Sequence, residues 1–179
     1  MRIEKIHRVA YRCQDAKQTV QWYGRMLNMG FVLAVAEDAV PSTQAPDPYM
    51  HVFLDAGGGN VLAFFELPTQ APMGRDPNTP DWVQHIAFKV KDRATLLEYQ
   101  AHLEAEGVSV LGVTDHGAFH SIYFFDPNGH RVELACPDPD EAAIHARLDA
   151  VKWDMLEEWT MTRRAPRHAA FLHEKEFQS

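Results

Sequence analysis

"RVAYRCQDAKQTVQWYGRMLNMGFVL", Arg8–Leu33, and "HIAFKVKDRATLLEYQAHLEAEGVSVL", His85–Leu111, follow one plan. Each opens with a short alternating strand, reaches an aspartate, continues at helical spacing and stops at a glycine. The interval from Asp15 to Gly30 equals that from Asp92 to Gly107. Asp15 and Asp92 suit N-caps, where a carboxylate accepts from amides that a helix start leaves without partners, and Gln18 completes a capping box behind Asp15. Gly30 and Gly107 suit the left-handed residue that ends a helix. Between the caps, Val20, Tyr23 and Leu27, and then Leu96, Tyr99 and Leu103, fall on one face, so each helix is expected to lie against a sheet.

Three strand-like runs follow each helix: "GFVLAVAE", "MHVFLDA" and "NVLAFFEL", then "VSVLGVT", "HSIYFF" and "HRVEL". The turns "AGGGN" and "DPNG" supply residues for tight reversals. The expectation is an α+β fold of two tandem β-α-β-β-β modules, residues 5–68 and 82–137, closing as a half-barrel around a cleft. "PTQAPMGRDPNTPD" reads as the linker between them and "EDAVPSTQAPDPY" as a loop over the cleft mouth. Residues 1–137 are expected to form one domain and 138–179 a helical extension. In that extension Ile144, Leu148, Val151 and Met155 make an apolar stripe that would pack on the body or on a partner chain. His168 and His173 read as surface histidines of a loosely held tail.

The chain of 179 residues is 46% hydrophobic and 23% charged, ordinary globular material with a formal charge of −8. Acidity argues against nucleic acid or an anionic membrane as partner. No apolar run is long enough to span a bilayer, and the first residues lack a signal-peptide layout, so a cytoplasmic location is expected. Cys13 and Cys136 have no metal-site or redox spacing and read as buried thiols.

The chemistry concentrates in "TDHGAFHSIYFFDPNGHRVEL", Thr114–Leu134. Glu133 stands between Val132 and Leu134, where a carboxylate is costly to desolvate unless a basic side chain or a metal ion meets it.

The duplicated plan resembles the vicinal oxygen chelate superfamily of glyoxalases, fosfomycin and bleomycin resistance proteins and type I extradiol dioxygenases. The resemblance implies metal ligands on the first and last strands of a module, which places His85 and Glu133 at ligand positions. Thr114, His116, the Ile122–Tyr123 pair, Asp126–Pro127, Gly129 and Glu133 are similar to the extradiol ring-cleavage signature, whose histidine and tyrosine, here His116 and Tyr123, sit beside a bound catechol. The implied cofactor is Fe(II), with Mn(II) as an alternative, and the implied partners are a small aromatic substrate, O₂ and further copies of the chain in a dimer or larger homo-oligomer. Two imidazoles and one carboxylate suit Fe(II) and leave positions open for a catechol and O₂.

The third ligand stays open between two registers. Counting back from Asp15 as His85 stands from Asp92 reaches Arg8, so either a bulge makes His7 the ligand or Arg8 takes the position and holds an anionic substrate group or Glu133. A glyoxalase would add a ligand at Ala63, the counterpart of Glu133, whereas Glu66 belongs to the opposite strand face unless a bulge intervenes. Asn60 stands nearest the position of a second acid/base residue, with His51 a less natural substitute. His120 is a candidate substrate contact, His130 reads as a surface residue, and Phe64, Phe119 and Phe125 are candidates for contact with an aromatic ring or, more in keeping with their residue type, for core packing. The alternatives to ring cleavage are another metal-assisted reaction of the superfamily, isomerase or lyase, and a metal-free binding protein built around Arg8.

Overall fold

A computed structural model describes residues 2–172. The first module runs β1 (Val9–Cys13), α1 (Ala16–Leu27), β2 (Gly30–Glu37), β3 (Tyr49–Asp55) and β4 (Val61–Glu66). The second repeats it as β5 (His85–Lys89), α2 (Arg93–Ala105), β6 (Leu111–Asp115), β7 (Phe119–Phe125) and β8 (Arg131–Pro137). A long helix, α3 (Glu141–Thr162), and a 3₁₀ turn at Arg167–Leu172 follow. The strands form two four-stranded sheets, ordered β1-β4-β3-β2 and β5-β8-β7-β6. In the first, β1 and β4 are parallel and the other neighbours antiparallel.

The chain gathers into two compact units. One holds the described residues up to Ile86 with Ala105–Val108 and Phe124–Val132; the other holds Ala87–Glu104, Ser109–Tyr123 and the described residues from Glu133 on.

Both helices start as the sequence dictates. Asp15 Oδ1 accepts from the Gln18 amide at 2.8 Å, and Asp92 Oδ1 accepts from the Thr95 amide at 2.9 Å and its hydroxyl at 2.8 Å. Gly107 has the expected left-handed backbone, φ 80°. The first helix departs from expectation: it ends on Asn28, φ 55°, and Gly30 is already the first residue of β2, paired with Asp55. Asparagine tolerates the left-handed region, so the chain turns two residues earlier and Gly30 is released to the strand.

Paired residues share a sheet face, which sorts the first module. One face carries Leu62, Leu54, Phe64 and Val52, all buried, beside the buried Tyr23, Met26 and Leu27 of α1. Tyr23 lies 5.1 Å from the Phe64 ring. Burying each such side chain contributes about 1.5–3 kcal/mol, which makes this the first unit's core. The other face carries Arg12, Phe65, His51 and Val35 in one row and Ala10, Ala63, Phe53 and Leu33 in the next.

Polar contacts tie the core to the "DPNG" turn, where Asn128 Nδ2 also donates to the buried Thr19 hydroxyl at 3.1 Å. The Tyr23 hydroxyl donates to Asp126 Oδ2 at 3.1 Å, while Asp126 Oδ1 accepts from the amides of Asn128 and His130 at 2.9 and 2.8 Å. Burial and the neighbouring Asp126 carboxylate push the Tyr23 hydroxyl well above the usual tyrosine range. In α3, Ile144, Leu148, Val151 and Met155 are all half-buried, as their stripe predicts, whereas Trp153 and Met161 are exposed. His168 is exposed, as its reading as a surface histidine implies, and its Nδ1 lies 2.9 Å from Glu158 Oε2. His173 lies outside the described residues.

Candidate active site on the second module

Strand period places Ser121 and Tyr123 on one face of β7. Both meet Glu133, which is only 4% exposed on β8. The Ser121 hydroxyl donates to Glu133 Oε1, and the Tyr123 hydroxyl donates to the same oxygen at 3.2 Å. Hydrogen bonds to a charged group contribute about 1.5–3 kcal/mol each, so two hydroxyls offset much of the desolvation that the sequence position implies. His116 follows directly on β6. Its Nε2 lies 2.8 Å from the Tyr123 hydroxyl, and its ring packs on Phe119 at 4.7 Å and 27°. His116, Tyr123 and Glu133 thus form one hydrogen-bonded chain leading from an exposed imidazole to a buried carboxylate.

Ser121 was not among the candidates read from sequence. Its signal was available: it precedes Tyr123 by two residues, so any partner of Tyr123 on that face is also within its reach.

The remaining candidates occupy separate places. His120 stands between two carboxylates, 3.7 Å from Asp115 and 4.0 Å from Asp138. Asn60 closes the β3–β4 turn, its amide nitrogen donating to the Gly57 carbonyl at 3.0 Å. His85 opens β5, with Nδ1 3.1 Å from the Val83 carbonyl. A carbonyl only accepts, so Nδ1 is the donor in this contact. His85 also lines a cavity of about 220 Å³ together with Tyr11, Arg75, Gln84 and His130.

On the first strand the register from Val9 to Cys13 runs against β4 without a bulge. Arg8 precedes it, and its guanidinium lies 6.0 Å over the Phe53 ring, on the face that carries Ala10 and Ala63. His7 Nδ1 is 3.2 Å from Arg8 Nη1. Glu66 is on the helix side, where its Oε2 accepts from the Ala16 amide at 2.7 Å and caps α1. Ala63, fully buried, stands where Glu133 stands in the second module.

One reading needs correcting, and one of two open roles is decided. His130 is half-buried rather than a surface residue: it stacks 4.9 Å from Tyr11 and its Nε2 donates to the Arg12 carbonyl at 2.6 Å, because the turn folds it back onto β1. Phe64 belongs to the core under Tyr23, since its strand register turns it toward α1. Phe125 is 43% exposed beneath the Arg75 guanidinium, 4.9 Å away.

The sequence profile of the Glyoxalase/Bleomycin resistance protein/Dioxygenase superfamily matches residues 5–134. The chain belongs to this superfamily. Among curated proteins it is 30% identical over 88 residues to the "Putative ring-cleaving dioxygenase MhqA" of Bacillus subtilis (strain 168), a match covering 49% of this chain and 28% of that protein. The chain thus spans little more than a quarter of that relative. Solved superfamily structures share the fold. The fosfomycin resistance protein FosX of Listeria monocytogenes aligns with TM-score 0.57 at 20% identity over 78% of this chain and 98% of its own. Lactoylglutathione lyase of Agrobacterium tumefaciens aligns with TM-score 0.52 at 21% identity over 75% and 94%. A further FosX structure holds Mn(II) and sulfate.

The donor types at His85, Glu133 and His7 suit a divalent metal of the Fe(II) or Mn(II) kind. Among the described residues, however, no three histidine, cysteine, aspartate or glutamate side chains are gathered as a metal-holding group. His7 and His85 fall in the first unit and Glu133 in the second.

Proposed function

We propose that the chain is an extradiol-type dioxygenase that cleaves the ring of a catecholic aromatic, using Fe(II), or Mn(II) in its place, held by His85, Glu133 and His7. The observation that carries this reading is the chain from His116 through Tyr123 to Glu133. The likeness to a ring-cleaving relative supports it over part of the length. When bound, the metal would supply a path for electron density between the aromatic oxygens and O₂.

The protein's own contribution is proton handling. Tyr123 has one hydroxyl proton; given to Glu133, it leaves the phenolic oxygen to accept from His116 Nε2–H. That tautomer puts the lone pair on His116 Nδ1, where it can take the proton of a substrate hydroxyl. The resulting imidazolium is supported by the Tyr123 oxygen, whose own hydrogen bond ends on a carboxylate. Ser121 keeps Glu133 Oε1 in place as this happens. The face of Phe119 holds the imidazole plane, so His116 acts from one orientation.

A second reading, a metal-free small-molecule binding protein, is favoured by Arg8, a cation lying on the Phe53 face of the first sheet. One experiment separates the two. Protein loaded anaerobically with Fe(II) and then given O₂ with a panel of catechols is expected to consume O₂ and yield yellow ring-fission product. Iron retained without ring fission would point to isomerase or lyase chemistry, and failure to bind iron would favour the binding protein.

A further inference from the structure

The non-core face of the first sheet holds two buried polar atoms that lack partners. His51 is 6% exposed, and its Nε2 has no hydrogen-bond partner among the described residues. The same is true of Arg12 Nε, although Arg12 Nη2 donates to the Ala71 carbonyl at 2.6 Å. The strand register places both in one row, with Phe65 between them. Buried donors and acceptors are ordinarily paired, so two orphans beside one residue call for a shared missing partner.

The surroundings define that partner's chemistry. Arg12 Nε–H can only donate, so it needs an acceptor, and a second cation, Arg8, lies on the same face over Phe53. Two guanidinium groups favour a carboxylate, whose oxygens match their donor geometry. The rest is aromatic: the His51 ring stacks on Phe65 at 3.6 Å and 17° and lies 4.1 Å from Phe53. Ala10 and Ala63 stand side by side in the adjoining row, neither carrying a side chain beyond Cβ.

We propose that this face binds a small aromatic carboxylate, with its carboxylate against Arg12 and Arg8, its ring against Phe53 and Phe65, and a hydrogen bond to His51 Nε2. The site lies within the first unit, uses none of the residues of the His116–Tyr123–Glu133 chain, and does not depend on the ring-cleavage reading.

Calorimetric titration of the 179-residue chain, as purified and after chelator treatment, tests it with benzoate, benzyl alcohol and acetate as probes. Benzoate is expected to bind saturably in both preparations, and benzyl alcohol and acetate about tenfold more weakly or worse, since each lacks one half of the match. Arg12→Gln and Arg8→Gln should each weaken benzoate by about tenfold or more. His51→Phe, which keeps a ring and loses the nitrogen, should weaken it by a smaller factor. Arg12 also holds the Ala71 carbonyl, so Arg8→Gln, at an exposed position outside any strand, provides the variant whose fold is not at issue. Absence of saturable benzoate binding, equal binding of benzyl alcohol, or wild-type affinity in both arginine variants would overturn the proposal. Because benzoate binding is expected to survive chelation and ring cleavage is not, failure of one reading is distinguishable from failure of the other.

Discussion

The two modules place different chemistry on matching backbone. The offset that carries Gly59 to Gly129 also carries Ala63 to Glu133, Phe53 to Tyr123 and His51 to Ser121. Burial hardly changes between them: β3 and β7 share the same buried positions, and Ala63 and Glu133 are both inaccessible. In the second module these places hold a carboxylate and two hydroxyls bonded to it. In the first they hold an alanine, a phenylalanine and a histidine whose Nε2 has no protein partner among the described residues. Matching backbone therefore fixes where a buried side chain points, and the residue type at each place sets whether it joins a carboxylate network or an aromatic, cation-flanked face.

The comparison breaks most visibly if the second module's polar chain is cut. His116→Ala and Tyr123→Phe are each expected to lower turnover by roughly 10²–10⁴-fold, the range for a positioned acid or base, while iron content stays at the wild-type level. Steady-state oxygen uptake together with metal analysis checks both; loss of iron in either variant would make these residues ligands or structural supports.

The shared scaffold gives the next effect. Leu54 and Phe124 occupy corresponding places and are both almost completely buried. Leu54→Ala should lower stability by about 2–5 kcal/mol and Phe124→Ala by about 3–5 kcal/mol, measured by denaturant unfolding. A near-neutral result at one site only would show that the modules do not carry their cores alike.

The smallest effect is a pH dependence confined to the first module. Burial, and then the neighbouring Arg8, lower the His51 pKa from its ordinary value of 6.5. The unfolded chain therefore takes up the proton more readily, so this contribution to stability is complete above the unfolded value and is lost as pH falls below it toward the folded one. His51→Phe should flatten the decline in Tm below about pH 6.5, the ordinary histidine value. Ser121 does not titrate, so Ser121→Ala should leave that slope unchanged.

Much of this was legible in the sequence because it rests on short-range rules. Capping aspartates, helical spacing and strand alternation gave both modules, and alternation put Glu66 on the face opposite Ala63 while leaving His7 and Arg8 as alternatives on the first strand. The illegible parts depend on contacts between distant segments. The Asn28 cap replaced Gly30 because asparagine and glycine, two positions apart, can both turn the chain. His130 looked like a turn residue until the fold brought the Arg12 carbonyl to it. Ser121 has no titratable signature, so its place two residues before Tyr123 was its one mark in the sequence. The orphaned atoms of His51 and Arg12 follow from what surrounds them, which no local pattern records.

The central claim, that the second module's carboxylate is the one that holds metal for ring cleavage, is tested most directly by the iron content of Glu133→Gln after anaerobic loading, with circular dichroism to establish that the variant folds. Glutamine keeps the shape and can still accept from Ser121 and Tyr123, but it removes the charged oxygen that a divalent ion requires. The account predicts a folded variant that has lost its iron and yields no ring-fission product. A folded Glu133→Gln that retains full wild-type iron would contradict it.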